Sequence, residues 1–110
     1  DARDYPRFIG DVEPIDPVAG HIPDAISLPF ASNLNEAGLF KDTNTLKRQF
    51  DDASITSTDN IVCYCGSGVT AAHNILALVH TGHLEPYLYA GSWSEWIVDP
   101  QRPIATKPSQ

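Results

Sequence analysis

The 110 residues suffice for one domain with one core, and a 42 % share of apolar side chains lies in the globular range. A formal charge of −7 argues against nucleic acid or an anionic membrane as the main partner, and no apolar run approaches a membrane span. Cys63 and Cys65 are the two cysteines; two apart on a strand they point to opposite faces, so they are not placed to bridge each other. A reducing setting, the cytoplasm before the periplasm, suits them better.

In chain order, Asp1 to Gly10 reads as the end of a strand running into a loop. Asp11 to Pro29 is proline-rich and irregular, with one short strand at Ala25-Ile26-Ser27. Asn33 to Thr43 is a polar linker. Leu46, Gln49 and Phe50 then fall at helical spacing, predicting a helix over Thr45 to Asp52 with Asn44 or Thr45 as its cap. A polar connection, Asp51 to Asp59, leads to the best strand, Ile61 to Tyr64. The best helix follows over Val69 to Thr81, with Ala72, Ile75, Leu76 and Val79 on one face and Gly82 as its stop. Tyr87-Leu88-Tyr89 is another strand, and Gly91-Ser92 turns into a helix over Trp93 to Val98.

Strands alternating with helices predict an α/β fold, a largely parallel sheet flanked by helices. Such domains usually open on an apolar strand, whereas this chain opens at a strand's apparent end. The expected organisation is a domain over residues 1–100 that lacks its first strand, a fragment of a longer multidomain chain, with a tail over 101–110.

Cys65 falls at the strand-to-helix turn in Cys63-Tyr64-Cys65-Gly66-Ser67-Gly68-Val69-Thr70. The N–H groups and dipole of a helix start favour a thiolate, two glycines let the backbone curl inward, and Ser67 and Thr70 add hydroxyls. Unpaired cysteines are also common core residues, which is the plainer reading of Cys63. Three chemistries use a cradled cysteine. Phosphate-ester hydrolysis needs an arginine six residues on, where this chain has Ala71. Acyl transfer needs a histidine base, and His73, His80 and His83 lie along or beyond the helix. Sulfur transfer needs several N–H donors around an anionic persulfide and no general base, which matches the loop best.

Five blocks in order carry a resemblance: Asp1-Ala2-Arg3 with Arg7-Phe8; Gly10 to Glu13-Pro14; Gly20-His21-Ile22-Pro23-Asp24-Ala25; the Cys65 loop to Ala71; and Gly91-Ser92-Trp93-Ser94-Glu95-Trp96. The chain resembles the C-terminal, catalytic domain of the two-domain rhodanese-type sulfurtransferases. The resemblance implies a rhodanese-like fold whose first strand ends at Asp1. It implies Cys65 as the sulfur-carrying nucleophile, Gly66, Ser67, Gly68, Val69 and Thr70 as the anion-binding loop, and Arg7, with Arg3 as a second candidate, as the contact for an anionic sulfur donor. It implies a thiol, thioredoxin-like protein or cyanide as acceptor, an N-terminal rhodanese-like domain as neighbour, and neither cofactor nor metal. In the family a Gly-Ser-Gly loop goes with 3-mercaptopyruvate and basic loops with thiosulfate, so the former is favoured here. Ile15, where mercaptopyruvate enzymes commonly carry an arginine, weakens that case, and Ala90 stands where the family often has an aspartate. The alternative is a rhodanese-like binding or regulatory module without turnover.

Among other residues, His21 is expected to hold the Gly-His-Ile-Pro turn, and Trp93 and Trp96, three apart, to be core. Asp51, Asp52 and Asp59 are expected in solvated turns. The cysteines and histidines match no common zinc spacing.

Overall fold

The computed structural model describes residues 1–56 and 60–107, so Asp59 lies outside the described residues. In chain order it holds α1 (Tyr5–Phe8), a 3-10 turn (Phe30–Asn33), α2 (Thr43–Asp52), β1 (Val62–Cys63), α3 (Ala71–His80), β2 (Tyr87–Leu88) and α4 (Ser92–Trp96). β1 and β2 are parallel, with Val62 opposite Tyr87 and Cys63 opposite Leu88. Parallel neighbours need a long crossover, and α3 supplies it.

Irregular extended stretches widen this small sheet. Ala2 N–H donates to Tyr64 O at 2.9 Å on one side, while Leu28 N–H reaches Asp1 O at 2.8 Å and Phe30 N–H reaches Ala2 O at 3.0 Å on the other. The strand expected at Ala25 to Ser27 is absent as a regular element. Pro23 and Pro29 bracket it, and neither has an N–H for a ladder. The opening segment does not stay a loop either: a one-turn helix forms at Tyr5–Phe8, with Pro6 in its first turn where a missing N–H costs nothing.

α2 starts two residues earlier than the spacing predicts. Asp42 is its cap, accepting from Thr45 N–H at 2.8 Å. Four consecutive residues, Asp42 to Thr45, can all cap a helix, so sequence alone left the start ambiguous. Leu46 and Phe50 are buried by α2.

The phase of α3 differs from the apolar-face reading. Its buried residues are Ala71, Asn74, Ala77 and Leu78, whereas Leu76 is 56 % exposed and Val79 43 %. Hydrophobicity picked the larger apolar side chains. Packing chose two alanines that let the helix lie close, plus an asparagine whose polar groups are satisfied. Asn74 Nδ2 donates to Leu28 O at 2.8 Å, and its Oδ1 accepts from Asn33 Nδ2 at 2.7 Å. A buried amide with both ends paired is tolerated in a core, and it ties α3 to the 3-10 turn.

His21 stacks on Phe8 with ring centroids 3.7 Å apart, and its Nδ1 lies 2.7 Å from Phe8 O. Its backbone pairs with Ala105. The segment expected as a tail is thus tied down over its described part: Trp96 Nε1 also donates to Pro103 O at 2.9 Å, and Lys107 N–H to Ile9 O at 2.8 Å. Trp93 is fully buried, with Nε1 donating to Val18 O at 2.8 Å.

Candidate active site

Cys65 follows β1 by two residues, and α3 begins at Ala71, so residues 66–70 turn the chain between sheet and helix. The start of α4 holds this turn from outside. Trp93 N–H donates to Cys65 O and Ser94 N–H to Gly66 O, both at 2.9 Å. Ser94 Oγ adds a 2.6 Å bond to Gly66 O. Cys65 N–H donates to Ser92 Oγ at 3.1 Å, and Ser92 Oγ donates to Tyr89 O at 2.8 Å. Ser92 is fully buried in the left-handed region, φ 55°, an uncommon conformation for a residue with a side chain. With these outward groups consumed by α4, the next N–H groups are free to turn inward.

They converge on sulfur. Gly68 N–H lies 3.0 Å from Cys65 Sγ. Gly68 has φ 97°, and a Cβ there would be driven into Ala90 O, so glycine is required by both conformation and space. Burial alone would push the Cys65 thiol up. The Thr70 hydroxyl and the N–H groups of Ala71, Gly68 and Ser67 outweigh it and pull the thiol below its ordinary value. Thr70 occupies the cap position of α3 but makes no side-chain capping bond, which leaves its hydroxyl for the sulfur. Cys63 belongs to the same core cluster but differs in its chemistry: there burial prevails and pushes the thiol up.

Cys65, Gly66, Ser67, Val69, Thr70 and Arg7 line one pocket of about 220 Å³. Val69 is 75 % exposed at its edge. Arg7, on α1, lies over Gly66: a Cβ built there would stand 3.6 Å from Arg7 Nη1. Arg3 borders the same pocket but its guanidinium is committed elsewhere. It pairs with Asp1 Oδ2 at 2.6 Å, donates to Gly20 O at 2.6 Å, reaches Glu13 Oε1 at 3.4 Å, and stacks 4.7 Å from the Trp93 ring. With a side chain 1 % exposed, its guanidinium is built into the wall.

Four polar residues around the site were given no role from sequence. Glu13 receives Arg7 Nε at 3.2 Å, Arg7 Nη2 at 2.9 Å, and the N–H groups of Ile15 and Asp16 at 3.1 and 3.0 Å. Burial raises its carboxyl, but these bonds and the Arg7 charge hold it below the usual carboxylate range. Asp16 Oδ2 stands 3.2 Å from Arg7 Nη2. Glu13, Ser92 and Ser94 sat inside blocks quoted for the resemblance, which was the available signal. Asp16 had none, since a carboxylate beside an anion site runs against the simple charge argument.

A cysteine whose thiol is pulled below its ordinary value by N–H and hydroxyl donors, with a guanidinium beside an open pocket, can attack the sulfur of a small anion and hold a charged product. Residues 1–99 match the rhodanese-like domain. The chain belongs to the rhodanese-like domain family. It is 56 % identical over 108 residues to a Pseudomonas aeruginosa protein named "Probable 3-mercaptopyruvate sulfurtransferase", covering 96 % of this chain and 38 % of that protein. It is 39 % identical over 103 residues to mouse 3-mercaptopyruvate sulfurtransferase, covering 92 % and 35 %. With chicken thiosulfate sulfurtransferase the identity is 34 % over 97 residues, covering 88 % and 34 %. The chain thus spans little more than a third of the length of these curated relatives. In fold it superimposes on the anaerobic ergothioneine biosynthesis enzyme of Chlorobium limicola, crystallised with trimethyl histidine, at a TM-score of 0.88 and 24 % identity, covering 98 % of this chain and 28 % of that one.

Proposed function

We propose that this rhodanese-like domain carries the persulfide step of a sulfurtransferase, with Cys65 as the sulfur carrier. The observation that carries the reading is the convergence of Gly68 N–H, at 3.0 Å, with the Thr70 hydroxyl and the N–H groups of Ser67 and Ala71 on one sulfur beside Arg7. Those donors favour a thiolate before the reaction and an anionic persulfide after it.

The Cys65 thiolate attacks the outer sulfur of the donor. With 3-mercaptopyruvate the sulfur–carbon bond breaks, the electron pair stays on carbon, and the donor's own thiol proton ends there, releasing pyruvate. With thiosulfate the sulfur–sulfur bond breaks and sulfite leaves with the pair. Both leave Cys65 as a persulfide anion, which a thiol, a thioredoxin-like protein or cyanide then discharges. 3-Mercaptopyruvate is the favoured donor, because the loop from Cys65 to Thr70 has no charged side chain and a relative 56 % identical over 108 residues bears that donor's name. The N-terminal rhodanese-like domain expected from the resemblance would complete the pocket in a longer protein, where Val69 and Ile15, each 75 % exposed, reach the surface.

Intact mass after brief exposure to each donor tests the reading, with Cys65→Ser as control. One added sulfur that requires Cys65 supports the step, and the donor that delivers it faster decides the preference. No added sulfur from either donor, in the full-length protein, would leave a binding module in its place.

A further inference from the structure

The two arginines that line the pocket beside the sulfur are both paired with carboxylates, although an anionic donor must enter it. Arg7 spends Nε on Glu13, and both hydrogens of Nη2 go to Glu13 Oε2 and Asp16 Oδ2. Nη2 and Nη1 both lie over Gly66, 3.5 and 3.6 Å from where a Cβ would stand, and Nη1 makes none of these carboxylate bonds. Arg3 is equally committed, to Asp1, Gly20 O and Glu13. Two guanidinium charges therefore meet three carboxylates, those of Asp1, Glu13 and Asp16. Glu13 is built into the wall by both arginines and two backbone N–H groups. Asp16 is attached differently. Its carboxylate touches Arg7 and the Ser94 hydroxyl, 3.3 Å from Oδ1, and that hydroxyl bonds Gly66 O in the cysteine loop.

We infer that Asp16 is a specificity-determining residue, whose negative charge cancels Arg7 and weights the site toward singly charged sulfur donors over doubly charged ones. This rests on the persulfide reading above. The physical argument is Coulombic: a fixed negative charge repels a dianion about twice as strongly as a monoanion at the same distance, while dipoles from the loop attract both. The Ser94 hydroxyl stands between that carboxylate and Gly66 O, so the charge lies one hydroxyl away from the cysteine loop.

The test compares Asp16→Asn with wild type in the full-length protein, measuring kcat/KM for sulfur loading from thiosulfate, a dianion, and from 3-mercaptopyruvate, a monoanion. Asparagine keeps the size and an acceptor for Arg7 and removes only the charge. The ratio of thiosulfate to 3-mercaptopyruvate efficiency should rise roughly tenfold, and the gain should shrink as salt is raised from about 0.05 M to about 0.5 M. Asp16→Glu should restore the wild-type ratio. An unchanged ratio, or equal losses with both donors, overturns the inference and leaves Asp16 as a brace for Arg7. A wild-type protein that takes sulfur from neither donor removes the persulfide reading instead, and the inference with it.

Discussion

Replacing Thr70 by valine removes one donor to the Cys65 sulfur and leaves its shape nearly unchanged. Burial works against the thiolate, and it is ionised early only because several donors together outweigh that cost, the Thr70 hydroxyl foremost. A hydrogen bond to a charged acceptor is worth about 1.5–3 kcal/mol. Three N–H donors remain on the sulfur when the hydroxyl is gone, so the lower end applies, and about 1.4 kcal/mol corresponds to one pH unit. The midpoint for alkylation of Cys65 should therefore move up by about one unit in Thr70→Val. The assay is the iodoacetamide rate against pH, read as mass added at Cys65, with Cys63, whose thiol is pushed up, as the slow internal reference. The sign for stability follows. Folding lowers the Cys65 midpoint, so the thiolate's contribution is full above the unfolded cysteine value of about 8.5 and is lost as pH falls through the folded midpoint. Wild type should exceed Thr70→Val by more at about pH 9 than at about pH 6. An alkylation midpoint unmoved by the substitution would refute the claim that dipoles, the Thr70 hydroxyl foremost, activate this thiol.

Gly68→Ala should abolish sulfur loading, because its Cβ would enter Ala90 O at φ 97° and pull the Gly68 N–H from sulfur; loading at the wild-type rate would contradict this geometry. Ser92→Ala should cost about 1–3 kcal/mol in urea unfolding, since it strands the buried Cys65 N–H. Leu78→Ala should cost about 2–5 kcal/mol as a core truncation, while Leu76→Ser stays within about 0.5 kcal/mol. Equal losses for Leu76 and Leu78 would restore the apolar-face reading of α3.

The sequence by itself determined the parts of this protein that depend on short range. A strand, a glycine turn and a helix start are local events, so Cys63 to Thr70 announced both the crossover between parallel strands and a cysteine at converging N–H groups. The quoted blocks likewise carried the family, because they lie in order along nearly the whole chain. Tertiary structure alone decided the rest. The buried side of α3 is Ala71, Asn74, Ala77 and Leu78 because the core needed close backbone approach and a paired amide, and hydrophobic size is blind to both. Arg3 and Arg7 carry the same charge and stand four apart, yet one is locked against Asp1 and Trp93 while the guanidinium of the other lies over Gly66. Asp16 and Ser94, distant in sequence, meet at Gly66 only after the chain has closed on itself. An ion pair or a shared hydroxyl depends on distances between residues far apart in sequence, and those exist only once the fold has brought them together.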